Sequence, residues 1–570
     1  MNAFGASAEE LAAFHRTLLE GVLRPFAQGA GAPDTTDILK LLAEAFARDP
    51  ARWQTLQENF YRKHAELWAR MAAPAAPHDA QPGAQDRRFR GEAWREPYFN
   101  ILVQWYLTTA ACLTETADSA GLEPHAQRKL SFFVRQYVDA MSPANFACTN
   151  PEALKLAAET QGASLARGLE NLRADADKGM VSMTDERAFE VGRNLAVTPG
   201  AVVFENDFLQ VIQYRPSTEK VYAAPLLMTP PCINKFYVLD LQPENSLVKY
   251  AVDQGHTVFM VSWRNVPVNL GRATWDDYVQ SLIKAIEAAR AVCGVRKINA
   301  LGFCVGGTLL ASALAVLRTR GKNPVASLTL LATMLDFSET GELSVFIDEA
   351  YVAKREQEFS DGGILHGREL AITFASLRAN DLIWNYVVNN YLKGQTPPPF
   401  DLLYWNSDST NLPGTMYAYY VRNTYLENNL REPGKLTMCG VPVDLAEIDM
   451  PAYLLATRED HIVPWKTAYA STQLLGGNLT FVLSASGHIA GVINPAARDR
   501  RNFWTSDALT ENPDEWLASA ATQPGSWWKH WSAWLARHAG RRVPARTTLG
   551  HAKYPEIEAA PGRYVKEKPA

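Results

Sequence analysis

The chain has 570 residues, 47% of them hydrophobic, and carries 56 lysines and arginines against 61 aspartates and glutamates, a formal net charge of −5. That balance excludes a basic stripe for nucleic acid and an acidic disordered tail, and the length calls for more than one structural unit. The six cysteines, Cys112, Cys148, Cys232, Cys293, Cys304 and Cys439, form no CxxC pair and no metal-ligand spacing with histidine; the expectation is reduced cytosolic thiols and no bound metal.

Met1 to Gly5 lack the basic start of a secretory signal, and no apolar run approaches the ~18 residues of a membrane span. Leu11, Phe14, Leu18, Leu19 and Val22 recur at helical steps, and Pro74 to Ala84 read as a linker. Helical periodicity resumes from about Trp94 to Leu172. From Phe189 the texture changes, and Ala201–Phe204 and Phe208–Tyr214 predict a hairpin. A helical N-terminal domain is therefore expected over 1–186 and a mixed domain over 187–570.

In the second part short apolar strands alternate with helical patterns, as a mostly parallel α/β sheet requires. The strands are predicted at Leu226–Met228, Val258–Val261, Ile298–Leu301, Leu328–Leu331, Tyr453–Ala456 and Phe481–Leu483. Residues 335–449, rich in aromatics such as Trp384, Tyr391, Trp405, Tyr417 and Tyr420, exceed what one crossover helix needs and are read as a cap over the active site.

Between the third of these strands and a helical stretch from Thr308 lies Gly302-Phe303-Cys304-Val305-Gly306-Gly307. This is the strand, sharp turn and helix of an α/β-hydrolase nucleophile elbow, with sulfur in place of the usual serine oxygen. Small residues two before and two after the nucleophile are needed because side chains there would strike the neighbouring strand and helix. A hydrolase fold then supplies its acid and its histidine, in that order, on loops after later strands. Asp460 follows Tyr453–Ala456, and His488 follows Phe481–Leu483. The expected triad is Cys304 as nucleophile, His488 as base and Asp460 as the carboxylate that fixes the imidazole's tautomer.

The weaker rivals are His461 as base, Glu459 as acid and Cys232 as a second nucleophile. The oxyanion needs two backbone donors. Val305 supplies one, and the other falls to Cys232 or Ile233, because Pro230 and Pro231 in the preceding loop have no N–H. Trp527, Trp528, Trp531 and Trp534 share helical spacing and predict an amphipathic docking helix, with an apolar granule or lipid surface as the alternative partner.

Sulfur also speaks to the substrate. An acyl group arriving as a thioester passes to cysteine with little change in free energy and stays activated, so onward transfer to an alcohol is downhill. This favours an acyl-CoA transferase over a hydrolase.

The elbow, Pro230-Pro231-Cys232-Ile233-Asn234-Lys235 with Leu239-Asp240-Leu241-Gln242-Pro243, Val261-Ser262-Trp263-Arg264-Asn265, Arg458-Glu459-Asp460-His461-Ile462-Val463-Pro464-Trp465 and Ser486-Gly487-His488-Ile489-Ala490-Gly491 together resemble a class I polyhydroxyalkanoate synthase. The likeness runs from about Asp86 to Pro561-Gly562-Arg563-Tyr564-Val565-Lys566 and leaves roughly the first 80 residues without a family signal. It implies polymerisation of (R)-3-hydroxyacyl-CoA, chiefly 3-hydroxybutyryl-CoA, into polyester with release of CoA, on cytoplasmic granules, by a homodimer. No cofactor is implied beyond the CoA that the substrate carries. By the same likeness Cys304 would carry the growing chain, His488 would activate it, and Asp460 would either orient His488 or deprotonate the acyl 3-hydroxyl. A cysteine-dependent thioesterase or lactone hydrolase would use the same triad but yield free hydroxy acid. A granule-coating protein with a vestigial fold would release no thiol.

Overall fold

In this computed structural model residues 35–72 and 86–569 are described; the helix expected around Leu11–Val22 and the linker expected at Pro74–Ala84 lie outside them. The chain divides into two compact units. One takes the chain up to Asp185 together with Glu369–Pro399, and the other takes Glu186–Arg368 together with the chain from Phe400 onward.

The first unit is helical: α1 (Thr35–Arg48), α2 (Pro50–Ala72), α3 (Pro97–Asp118), α4 (Pro124–Ala140), α5 (Pro151–Glu159) and α6 (Ala163–Lys178). Proline at the first helical position begins α3, α4 and α5, where a missing N–H costs nothing. The Glu123 and Asn150 side chains accept from the free first-turn amides of α4 and α5. The segment Glu369–Pro399 falls inside the stretch read as a cap, yet it packs with these helices. Trp384, Val387, Tyr391 and Leu392 share one apolar cluster with Leu172, Ala147 and Ala153, and the Tyr391 hydroxyl donates to Asp175 at 2.7 Å. Aromatic periodicity marks such a segment as buried but cannot name its partner.

The second unit is built on an 11-stranded sheet. In chain order its strands are β1 (Gly200–Glu205), β2 (Leu209–Tyr214), β3 (Leu226–Thr229), β4 (Val258–Trp263), β5 (Ile298–Phe303), β6 (Val325–Leu331), β7 (Ala452–Thr457), β8 (Leu479–Ser484), β9 (Asn502–Thr505), β10 (Ala521–Pro524) and β11 (Glu558–Ala559). The spatial order is β10-β9-β8-β7-β6-β5-β3-β4-β2-β1-β11. From β8 to β4 all neighbours run parallel, while β9, β10, β2, β1 and β11 extend the two margins antiparallel. This is the expected α/β-hydrolase sheet.

The parallel strands are covered on both faces, and β3, β4, β5 and β7 are buried along their whole length, which is why they read as continuous apolar runs without alternation. Three marginal strands left no such signal. β11 is two residues long, β10 is largely exposed and polar, and β9 is bounded by the charged run Arg498–Arg501.

Register fixes the site. Gly302 pairs with Thr229 on one side and with Leu330 on the other, so the strand carrying the nucleophile ends level with β3 and β6 at the C-terminal edge of the sheet. Helix α7 (Val305–Thr319) starts directly after the bend.

Candidate active site

Cys304 has φ 52° and ψ −132°, a backbone conformation that costs a side-chain-bearing residue free energy and survives only where the surroundings over-determine it. Those surroundings are backbone. A Cβ on Gly302 would lie 2.4 Å from the Gly307 Cα, and one on Gly306 would lie 2.3 Å from the Pro230 carbonyl oxygen. The Cys304 N–H is held by the Leu331 carbonyl at 2.9 Å. The bend is therefore wedged between β6 and the loop after β3, and the thiol stands at its apex. Val305, in the first turn of α7, has no intrahelical acceptor for its N–H, and the partial positive charge of the helix start favours an anion there.

His488 follows β8 at the start of a short helix (His488–Val492) and is 5% exposed. Its Nδ1 lies 2.7 Å from Asp460 Oδ2, its ring stacks on Phe303, the residue before the nucleophile, at 5.4 Å, and Cys304 is near enough to act on its charge. Burial works against charge on the imidazole, but the Asp460 carboxylate and Cys304 outweigh it and raise its proton affinity above the ordinary histidine range. Asp460 lies in the loop after β7. Its Oδ2 also accepts from the Thr457 hydroxyl at 2.8 Å, and its Oδ1 accepts from the Ile462 and Val463 amides at 2.9 and 2.8 Å. Burial works against the carboxylate, yet His488 and these amides hold it below the usual carboxyl range.

The structure thus brings Cys304, His488 and Asp460 together. Glu459 is exposed, and Asp460, not Glu459, bonds to the imidazole. The imidazole bonded to Asp460 is that of His488, not that of His461. Cys232 is 2% exposed, and burial, with Cys304 nearby, pushes its thiol up to about 12, which makes it a poor nucleophile. The loop that carries Cys232 and Ile233 presses on the elbow through Gly306 and is tied to β4 by the Trp263 indole, which donates to the Pro230 carbonyl at 2.9 Å.

Residues 85–251 match the N-terminal region of poly-beta-hydroxybutyrate polymerase, and residues 225–495 match the alpha/beta hydrolase fold. A poly(3-hydroxyalkanoate) polymerase subunit PhaC from Cupriavidus necator is 56% identical over 91% of this chain and 89% of its own. The chain belongs to the poly(3-hydroxyalkanoate) polymerase family. A second member, from Rhizobium meliloti, is 42% identical over 94% of this chain and 88% of its own, and poly(3-hydroxyalkanoate) polymerase 1 from Ectopseudomonas oleovorans is 40% identical over 85% and 87%.

Two parts of this polymerase-family site escaped the sequence reading. Tyr425 is close enough to Cys304 and Asp460 for both to act on its phenol, whose proton affinity burial chiefly raises, and its ring meets that of Tyr420 edge to face at 5.7 Å. Phe337 packs against both rings, at 5.1 Å from Tyr425 and 6.3 Å from Tyr420. The local density of aromatics was legible, but which of them reach the sulfur depends on irregular chain between helices.

What the tryptophan helix, α8 (Trp527–His538), docks against is the other part; that it is a docking helix its spacing already predicts. Trp527, Trp528, Trp531 and Trp534 are all at most 4% exposed, so they face no granule or lipid surface. Trp527 and Trp528 donate to the Gly491 and Val492 carbonyls at 3.0 and 2.9 Å, bracing the short helix that begins with His488.

Proposed function

We propose that the protein polymerises (R)-3-hydroxyacyl-CoA, chiefly 3-hydroxybutyryl-CoA, through an acyl thioester on Cys304. The observation that carries this reading is the His488–Asp460 hydrogen bond at 2.7 Å, with the imidazole stacked on Phe303 beside the strained bend at Cys304, in a chain of this family.

In the first step His488 takes the thiol proton and sulfur attacks the substrate's thioester carbonyl. The oxyanion is met by the Val305 N–H and by an N–H of Cys232 or Ile233. As the bond to the CoA sulfur breaks, His488 returns its proton to that sulfur, so one free thiol leaves for each acyl group gained. In elongation the 3-hydroxyl of one acyl group attacks the thioester carbonyl of another. When the hydroxyl of an incoming acyl-CoA attacks the Cys304 thioester, an ester C–O bond forms as the C–Sγ bond breaks, the hydroxyl proton passes through His488 to Sγ, and the lengthened chain, now a CoA thioester, returns to Cys304 by the first step with release of CoA.

The four donors around Asp460 favour the orienting role over direct contact with the 3-hydroxyl. The aromatic wall of Phe337, Tyr420 and Tyr425 disfavours water at the thioester, as polymer rather than free acid requires. No cofactor takes part beyond the CoA of the substrate. The reading also places the enzyme on cytoplasmic polyester granules as a homodimer; among the described residues no helix is long and apolar enough to cross a membrane.

With 3-hydroxybutyryl-CoA the protein is expected to release thiol and to form high-mass polyester, and Cys304→Ala to abolish both. Free 3-hydroxybutyrate in place of polymer would move the reading to a thioesterase, and activity in Cys304→Ala would refute it.

A further inference from the structure

The loop that carries Cys232 and Ile233 continues into Asn234 and Lys235, and what holds those two residues comes from distant parts of the chain. Lys235 is 1% exposed, and a buried ammonium is tolerated only where its hydrogens find acceptors. Its Nζ donates to the main-chain carbonyl of Glu567 at 2.6 Å.

The last residues are anchored in turn. The Arg264 guanidinium lies 3.2 Å from the Glu567 carboxylate and stacks on the Tyr564 ring at 4.9 Å. The Asn265 amide donates to the Lys568 carbonyl at 3.1 Å, and the Lys568 ammonium reaches Asp408 at 2.8 Å. The second Asp408 oxygen accepts from the Tyr237 hydroxyl, also at 2.8 Å.

The main chain of the loop is held just as closely. Asn234 sits at φ 64°, and its side-chain amide donates to the Trp405 and Asn406 carbonyls at 3.0 and 3.1 Å. The Trp405 indole donates to the Lys235 carbonyl at 2.6 Å.

We propose that Lys235 and the C-terminal residues Glu567 and Lys568 form a clamp that positions the second oxyanion donor. It rests on the reading of Cys304 as the nucleophile. The oxyanion hole works only if its N–H groups already point where charge develops, and the two prolines before Cys232 leave few donors to choose from. Trp263 and Gly306 fix the upstream end of the loop. The downstream end is fixed by one ammonium inserted under the chain's terminus, so that the last residues of the sequence set the geometry at its 232nd and 233rd. Lys235 acts through the loop and touches no reacting atom, which makes it a positioning residue.

The test measures thiol release from 3-hydroxybutyryl-CoA by Lys235→Met, by a chain ending at Lys566, by their combination and by Glu567→Ala. The first two are each expected to lose at least about tenfold in kcat with KM within about threefold, because a misplaced donor weakens transition-state binding and leaves ground-state binding intact. Combined, they should lose no more than either alone, since both remove the same contact. Glu567→Ala keeps the main-chain acceptor and loses only the Arg264 pair, so its loss in kcat should be smaller than that of either.

Unchanged kcat in Lys235→Met or in the shortened chain, losses that multiply, or a loss confined to KM would overturn the clamp. If Lys235→Met does not fold, the shortened chain with its native lysine decides. Thiol release by the parent and silence of Cys304→Ala in the same assay test the nucleophile separately, so failure of the clamp is distinguishable from failure of that reading.

Discussion

The helical unit and the hydrolase unit bury their apolar residues in different ways. The first holds several small clusters, one around Phe89, Trp94, Val103 and Tyr106 and another around Leu172, Trp384 and Tyr391, and it leaves Tyr61, Trp68, Tyr98 and Tyr137 more than half exposed. The second has a continuous core that runs from Leu195 through the sheet to the indoles of α8. Their buried histidines make the same point. Both ring nitrogens of His64 have partners, Phe60 O at 2.8 Å and Thr109 Oγ1 at 3.0 Å. Among the described residues neither ring nitrogen of His256 has a hydrogen-bond partner, and the ring is stacked on Tyr222 at 4.7 Å. A densely packed interior is what a strained bend at Cys304 requires, and the continuous core of the hydrolase unit supplies it.

The largest test of that contrast is at the elbow. Gly306→Val puts a side chain into the Pro230 carbonyl and should cost at least about a hundredfold in thiol release, by displacing the oxyanion loop as well as the bend. Activity within tenfold of the parent would show that the bend is softer than its contacts imply.

The next is in the core. Trp531→Ala removes an indole that is fully buried and hydrogen-bonded to Thr329 at 3.1 Å, and should destabilise the hydrolase unit by about 3–5 kcal/mol in chemical denaturation. Tyr98→Ser on the exposed face of α3 should change stability by no more than about 0.5 kcal/mol. Similar costs for the two would erase the distinction.

A smaller effect is expected from acid. Burial, helped by the Arg542 charge, pulls the His256 imidazole down to about 4, so the folded state refuses a proton that the unfolded chain accepts below its ordinary value of 6.5. Stability from this group is complete above that value and is lost as pH falls through about 4, a total near 3 kcal/mol. His256→Phe should therefore show a shallower loss of stability between pH 7 and pH 4, followed by denaturant midpoint. A slope equal to the parent's would mean that the site admits water.

The strands at the centre of the sheet were legible because burial on both faces demands unbroken apolar runs, and β3 to β8 fall on or within a few residues of the segments expected. The elbow was legible because its glycines answer a local steric need, visible as the 2.3 and 2.4 Å approaches at Gly306 and Gly302. Asp460 and His488 could be named from chain order, and their separation from Glu459 and His461 came from the 2.7 Å contact that joins them. The aromatic stretch 335–449 could be recognised as dense but not divided. That Trp384 and Tyr391 pack with α6 while Tyr420 and Tyr425 line the site depends on partners far away in sequence.

Local chemistry alone, then, determined the bend, the order of the site residues and the central sheet, because each is set by the conformational limits or the burial of a few consecutive residues. Tertiary structure alone decided which carboxylate meets the imidazole, why four tryptophans lie beneath His488 rather than at a surface, and how Lys235 comes to rest under Glu567. Those contacts join segments tens to hundreds of residues apart, and no short-range pattern encodes the packing that selects one partner over another.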